Sequence, residues 1–498
     1  MKKYILAIDQ GTSSCRAILY NESFEAVGIQ QKETQTSYPH PGWVEQDAIE
    51  IWENQLAVIK ALLAKKGVKA SEIAGIGITN QRETTVIWDK SGKPVYKAII
   101  WQDRRTSQVC EQMKNSEMGK YIPDATGLII NPYFSATKIA WILDNVAGIR
   151  KRAEAGELYF GTIDSWLIWN LSGGKLHITD YSNASRTMLF NINELKWDNK
   201  ILEYLNIPAS ILPEVVSSSK IYGETSAEIL GEAIPIAGIA GDQQAALYGQ
   251  NCFEPGSAKN TYGTGCFMLM NTGADKVKSK SDLLTTIAWE IDGKVTYALE
   301  GSVFIGGAVI KWLRDDLGII KTAAETEQIA QTLSDNEGVY FVPAFTGLGA
   351  PYWDTEAKGI ICGLSSGCGK AHIVRAALES LAFQTRDVLE CMEHDIGITL
   401  KELRVDGGAA ANNFLMQFQA DILGCKVIRP REIESTVLGA GKLAAKVLGF
   451  GNEQESSDDF DIFYPKISVE KRIDQCEGWK RAVDKARVRQ SLYLANGR

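Results

Sequence analysis

Along the chain, apolar and mostly β-branched runs end again and again in short polar turns rich in Gly, Asp, Asn or Thr. They are YILAIDQGTSS from residue 4, IAGIGITNQRET from 73, IPIAGIAGDQQA from 234, KNTYGTGCF from 259 and ELRVDGGAAANN from 402. Runs of this length, bounded by turn residues, predict buried strands, the first over Tyr4 to Ile8. Between them lie amphipathic patterns of helical period. The clearest predicts a helix from Asp47 to Leu63, with Ile49, Trp52, Leu56, Ile59 and Leu63 facing inward and Asp47 capping the start. Strands alternating with helices predict an α/β fold, in which ligands bind beyond the carboxyl ends of the strands, where these polar turns fall.

The pattern also repeats. The first strand ends in Asp9-Gln10-Gly11-Thr12 and re-enters an apolar run, Ala17 to Tyr20, too soon for a helix. Residues Asn260 to Met270 do the same around Gly263-Thr264-Gly265. Both read as β-hairpins closed by a Gly-Thr turn. Two such hairpins half a chain apart predict two similar halves, 1–250 and 251–498.

Composition narrows the class. With 45% apolar and 23% charged residues the chain is an ordinary globular one. A net charge of −8, with no basic block, argues against a nucleic-acid partner. The nine cysteines are scattered, odd in number and free of any CxxC pair, which predicts a reducing compartment and neither disulfides nor a thiolate metal site. The four histidines lack ligand spacing. No run approaches the ~18 apolar residues of a membrane span, so the cytoplasm is expected.

A Gly-Thr turn at a strand end exposes backbone N–H groups and a hydroxyl, equipment for holding phosphate oxygens. One copy reads equally as a plain hairpin. Two copies together with the DGGAAANN turn favour a nucleotide. Arg16, just past the first turn, can offer a fork to a phosphoryl group or simply sit at a strand edge. No Walker A loop is present, since the stretch Gly363 to Ala371 has the wrong spacing, and the HRD and DFG motifs of protein kinases are missing. Asp9 and Asp242 each end an apolar run and precede Gln. Such carboxylates suit Mg²⁺ or proton abstraction, though taken singly each reads as a turn cap. Arg82 and Glu83, after the strand Ile73 to Thr79, offer a donor fork and an acceptor to the hydroxyls of a small polyol, or form a solvated turn. Trp101 and Phe267 can wall such a site or pack in a core.

With these strings assembled, the sequence resembles the FGGY family of carbohydrate kinases from residue 4 to about 450. The resemblance rests on DQGTSS (9–14), YPHPGWVEQD (38–47), NQRET (80–84), WQDRR (101–105), AGDQQAALYGQ (240–250), NTYGTGCFMLMNTG (260–273), PAFTGLGAPYWD (343–354) and DGGAAANNFLMQFQADIL (406–423). Two family signature regions, Tyr133 to Trp141 and Gly363 to Glu379, carry it further.

The resemblance implies two actin-like (RNase H-like) ATPase domains flanking a central cleft, and phosphoryl transfer from ATP to glycerol. It implies that Arg82, Glu83, Tyr133, Asp242 and Gln243 hold the glycerol hydroxyls, with Trp101 and Phe267 against its carbons. Asp242 is implied to be the general base. Thr12, Ser13, Ser14, Arg16, Thr264, Gly307, Lys311, Gly408 and Asn412 would line the nucleotide, with Asp9 and Asp242 serving Mg²⁺. At Lys311 many relatives carry Gln, and its ammonium is expected to face solvent. A homodimer or homotetramer is also implied. The Arg and His by which some relatives are regulated are missing from the stretch Gly223 to Pro235, where Ala233 stands before Ile-Pro, so neither control is expected there. Two other readings remain: an FGGY kinase for another polyol or ketose, and an actin-like ATPase without a small acceptor. After Phe450 only a charged run, Glu470 to Arg489, stands out, and it is expected to be a surface helix.

Overall fold

Two mixed sheets of related topology frame the molecule, a computed structural model that describes residues 2–354, 356–431, 434–451 and 460–487. The first contains β1 (Tyr4–Gln10), β2 (Ser14–Tyr20), β3 (Ala26–Glu33), β4 (Ile73–Asn80), β5 (Ser219–Glu224) and β6 (Pro235–Gly241), in the order β5-β6-β4-β1-β2-β3. The second contains β7 (Ala258–Tyr262), β8 (Cys266–Gly273), β9 (Leu284–Ile291), β10 (Lys294–Val303), β11 (Glu402–Asp406), β12 (Lys426–Pro430) and β13 (Phe460–Phe463), ordered β9-β10-β8-β7-β11-β12-β13.

Five strands correspond. β3-β2-β1-β4-β6 and β10-β8-β7-β11-β12 each run as three antiparallel strands followed by two parallel ones. This is the doubled α/β fold expected of two actin-like domains. Both Gly-Thr hairpins are present, as β1–β2 and β7–β8. β4 is buried at every residue, and β6 at all but Pro235, which is why both read as unbroken apolar runs rather than alternating ones.

The parallel strands β1, β4 and β6 all end at one sheet edge. That edge therefore gathers Asp9 to Ser13, Asn80 to Glu83 and Asp242, stretches far apart in sequence. β7 and β11 bring Gly263 to Gly265 and Gly407-Gly408 together in the same way.

The glycines within β4 and β6 have a packing role. Helix α6 (Ser435–Leu448) comes from the second half of the chain yet lies on the first sheet. A Cβ on Gly77 would sit 2.1 Å from the Ala440 carbonyl oxygen, and one on Gly238 would sit 2.6 Å from the Ala444 nitrogen. The same helix crosses α2 (Asp242–Gly249) at equally short range. There, a Cβ on Gly439 would lie 1.8 Å from the Ala245 carbonyl oxygen. The two halves are thus interlocked through the helices that follow their last parallel strands.

Helix α1 (Ala48–Lys66) starts at Asp47, whose carboxylate accepts from the Ile49 N–H at 2.9 Å. Its inner face differs from the expected stripe: Ile49 is 46% exposed, while Ile51, Gln55, Val58 and Leu62 are buried. Gln55 is drawn inward by donating to the Arg16 carbonyl at 2.9 Å, a long-range partner to which apolar periodicity is blind.

The remaining helices are α3 (Ala308–Asp315), α4 (Lys370–Ile396) and α5 (Asn413–Leu423), with α7 (Val469–Ala486) after α6. α7 corrects another expectation, because one of its faces belongs to the core of the second half. Trp479 is buried and stacked on Phe383 of α4 with ring centroids 5.2 Å apart, and its Nε1 donates to Asp387 at 2.7 Å. The expected last residues of that helix, 488 and 489, lie outside the described ones. No helix among the described residues is long and apolar enough to cross a membrane.

Candidate active site

At the end of β1, the Gly11 N–H donates to the Ser14 carbonyl at 3.0 Å and closes the first Gly-Thr turn. Ser13 is exposed at its tip and Ser14 begins β2. The Thr12 hydroxyl accepts from Trp101 Nε1 at 2.8 Å, which ties this turn to the aromatic wall. Trp101 in turn meets Tyr133 and Phe267 edge to face, with centroids 5.6 and 6.4 Å away. The expected aromatic pair is therefore assembled from both halves of the chain, with Tyr133 as a third ring.

Asp9 and Arg16 are register partners across β1–β2. Asp9 Oδ1 is buried without a hydrogen bond, and burial lifts the carboxyl to about 7, Arg16 opposing the rise while Asp242 and Glu434 add to it. Arg16 itself is ion-paired with Glu434, at the start of α6.

Arg82 is the hub of a buried charge network. Its two terminal nitrogens bind Glu300 of β10 at 2.6 and 2.9 Å, and one of them also meets Gln244 at 3.1 Å. Arg186 donates to Glu83 at 2.7 Å and to Glu300 at 3.0 Å. All four charged residues are at most 3% exposed. Burial by itself would raise the Glu300 carboxyl, but Arg186 and Arg82 outweigh it and hold it at about 2. Burial pushes the Tyr133 phenol upward, with Glu83 adding to the rise.

Anchored on Glu300 through both terminal nitrogens, Arg82 turns Nε toward Asp242 Oδ1 at 3.2 Å. The Gln243 N–H donates to the same oxygen at 2.7 Å. The Asp242 side chain is 29% exposed, and its Oδ2 takes no hydrogen bond from the described residues. A carboxylate held by one oxygen and open at the other is arranged to accept a proton from a neighbouring hydroxyl. Gln243 lies beside it, its amide oxygen bound by the buried ammonium of Lys259.

In the second half, the turn Gly263-Thr264-Gly265 docks on the start of α3. Gly306 N–H donates to the Thr264 carbonyl at 2.9 Å and Gly307 N–H to that of Gly263, also at 2.9 Å. The approach leaves no room for side chains, since a Cβ on Gly307 would lie 2.8 Å from the Gly263 oxygen. Lys311 is exposed one turn into α3, with its backbone N–H on the Gly307 carbonyl at 3.1 Å. Gly407 takes a positive φ of 87° against Tyr262, and Gly408 beyond it is exposed. Asn412 caps α5, accepting from the Leu415 N–H at 2.9 Å, and donates to Thr326 at 3.1 Å.

The ends of β1, β4 and β6 thus carry Asp9, Thr12, Arg82, Glu83 and Asp242, and those of β7 and β11 carry Thr264 and Gly408, while Trp101 links Thr12 to Tyr133 and Phe267 and Lys311 lies in α3, outside these turns. Sequence reasoning missed Glu300, Arg186 and Lys259, whose surroundings in the chain resemble ordinary strands and turns. A cavity of about 780 Å³ lined by Phe24, Trp289, Lys294 and Phe460 lies elsewhere and shares none of the expected site residues.

The N-terminal domain of the FGGY family of carbohydrate kinases matches residues 4–249, and the C-terminal domain of that family matches residues 258–448. The chain is 60% identical over 491 residues to the glycerol kinase of Caldanaerobacter subterraneus subsp. tengcongensis, covering 98% of this chain and 99% of that one. It is also 60% identical over 492 residues to the glycerol kinase of Carboxydothermus hydrogenoformans, covering 98% of each. Among solved structures, Plasmodium falciparum glycerol kinase with ADP superposes with a TM-score of 0.91 at 38% identity, covering 98% of each chain. Gluconate kinase from Lactobacillus acidophilus shares the fold, with a TM-score of 0.86 at 23% identity over 97% of each chain.

Proposed function

Because the chain belongs to the FGGY family of carbohydrate kinases, we propose that it transfers the terminal phosphoryl group of ATP to glycerol, giving sn-glycerol 3-phosphate and ADP. The observation that carries the reading to individual residues is the posture of Asp242, restrained through Oδ1 by Arg82 and open at Oδ2.

In this mechanism Arg82, Glu83, Tyr133 and Gln243 hold the glycerol hydroxyls while Trp101 and Phe267 confine its carbons. Asp242 takes the proton of the attacking hydroxyl as the bond to phosphorus forms. Phosphoryl transfer needs little covalent help, so the protein acts mainly by positioning and by meeting charge with fixed dipoles. The backbone N–H groups of the turns at Gly11 to Ser14 and Gly263 to Gly265, with Gly307, Gly408 and Asn412, hold the nucleotide. Arg16 exchanges Glu434 for the γ-phosphate, and Lys311 stays at the rim of the nucleotide site. Enclosure between the halves keeps water from competing with glycerol.

The residues also suit Mg²⁺. Asp9 has a buried oxygen with no hydrogen bond, and magnesium commonly takes one or two carboxylates while its other ligands are water and phosphate. Asp9, with Asp242 nearby, would hold the ion, which supplies charge neutralisation to the phosphates. A first domain, 1–250, for glycerol and phosphate, a second, 251–498, for the nucleotide, a cytoplasmic location and a homodimer or homotetramer complete the proposal.

The deciding experiment is a panel of glycerol, xylulose, ribulose and gluconate assayed by coupled ADP release, with the phosphorylated product identified. Glycerol-dependent ADP release yielding sn-glycerol 3-phosphate is expected. A preference for a ketose, or ATP hydrolysis indifferent to every acceptor, would refute the reading.

A further inference from the structure

Lys259 is completely buried, an unusual position for an ammonium unless its surroundings need the charge. It lies on β7 and reaches three acceptors: the Gln243 amide oxygen, the Thr261 hydroxyl at 2.9 Å and the Phe267 carbonyl at 3.3 Å. Thr261 and Phe267 face each other across the β7–β8 hairpin, whereas Gln243 comes from α2 in the first half. One cation therefore joins a polar and an aromatic component of the same pocket across the two halves.

An ammonium has three donors and no acceptor, so the amide that meets it must present its oxygen. The Gln243 NH2 is then forced to the other side, and it donates to none of the described residues. Without Lys259 either amide orientation is available, and half of the side chain's hydrogen-bonding choices would offer a substrate oxygen an acceptor instead of a donor. We propose that Lys259 is a positioning residue that locks the Gln243 amide with its NH2 toward the polyol, so that a substrate hydroxyl oxygen meets a donor. The inference rests on the reading of Gln243 as a glycerol contact. Burial lowers the ammonium, and with Asp406 and Asp242 opposing that shift it stands at about 8.

The test is a kinetic cycle over wild type, Lys259→Met, Gln243→Ala and the double variant, with folding checked by thermal melting. Loss of one charge-assisted restraint predicts that Lys259→Met raises the KM for glycerol roughly 10- to 100-fold. The KM for ATP should stay within about twofold, since Lys259 orders the polyol side. In the Gln243→Ala background the Lys259 substitution should have no further effect on glycerol KM. Lys259→Arg, which keeps the charge, should recover most of the affinity. An unchanged glycerol KM in Lys259→Met, or an equal rise in the Gln243→Ala background, overturns the inference while leaving the proposed reaction standing. If Gln243→Ala itself leaves glycerol KM unchanged, the assignment of Gln243 as a polyol contact fails and the inference fails with it. Should Lys259→Met not fold, Lys259→Leu, which likewise has no donor, serves instead: a selective rise in glycerol KM supports the inference and its absence overturns it.

Discussion

Arg82 and Glu300 form a bidentate pair at 2.6 and 2.9 Å, between the end of a strand in the first sheet and the middle of a strand in the second. The pair does two things. It binds the halves of the molecule at the base of the site, and it fixes the Arg82 guanidinium so that Nε is directed at Asp242.

Glu300→Gln removes the negative charge shared by Arg82 and Arg186, both buried. Breaking a buried network by removing one partner costs roughly 3–5 kcal/mol. Urea unfolding should show a loss of that order, and glycerol KM should rise because Arg82 is no longer held. A variant as stable as the wild type would mean that the network carries no net stabilisation.

Asp242→Asn keeps the shape of the side chain and removes its capacity as a base. We expect kcat to fall by about 10²- to 10⁴-fold with glycerol binding largely retained, as measured by steady-state kinetics and equilibrium titration. Near-normal turnover would exclude Asp242 as the base.

Gly439→Ala places a methyl group 1.8 Å from the Ala245 carbonyl oxygen, where backbone meets backbone and neither helix can yield cheaply. The variant should lose about 1–3 kcal/mol or more and melt at a lower temperature. Gly367→Ala, an exposed turn position where the added carbon comes no nearer than 3.8 Å to any atom, is the control and should melt nearly as the wild type does.

His177 provides a pH test away from the site. It packs among Trp88, Tyr159 and Trp169 with Nε2 on the Phe160 carbonyl at 2.7 Å, and burial lowers it from 6.5 to about 4. Between those values the unfolded chain binds a proton that the folded protein refuses. Its stabilising contribution is therefore complete above pH 6.5 and is lost as pH falls toward 4, by roughly 3 kcal/mol in all. Replacing His177 with Gln should flatten the dependence of unfolding free energy on pH in that window. An unchanged slope would rule out His177 as its source.

Much of the candidate site was legible in the chain because its residues lie in local turns. Gly11-Thr12, Gly263-Thr264, Arg82-Glu83 and Asp242 each follow an apolar run, and parallel strands must release such turns at a common edge. Strand identity, the doubled hairpin and the cap at Asp47 are likewise set by neighbours a few residues away. The inward turn of Gln55 in place of Ile49, and the burial of Trp479, depend on contacts from distant segments.

Local pattern alone marked which turns are equipped for phosphate or polyol oxygens, since backbone exposure and side-chain type are local properties. The tertiary structure decided how those groups are aimed. Glu300 is 218 residues from Arg82, and Lys259 belongs to the opposite half from the Asp242–Gln243 turn it steadies. A buried charge is tolerable only when its partners arrive with it, and here they arrive only when the two sheets dock.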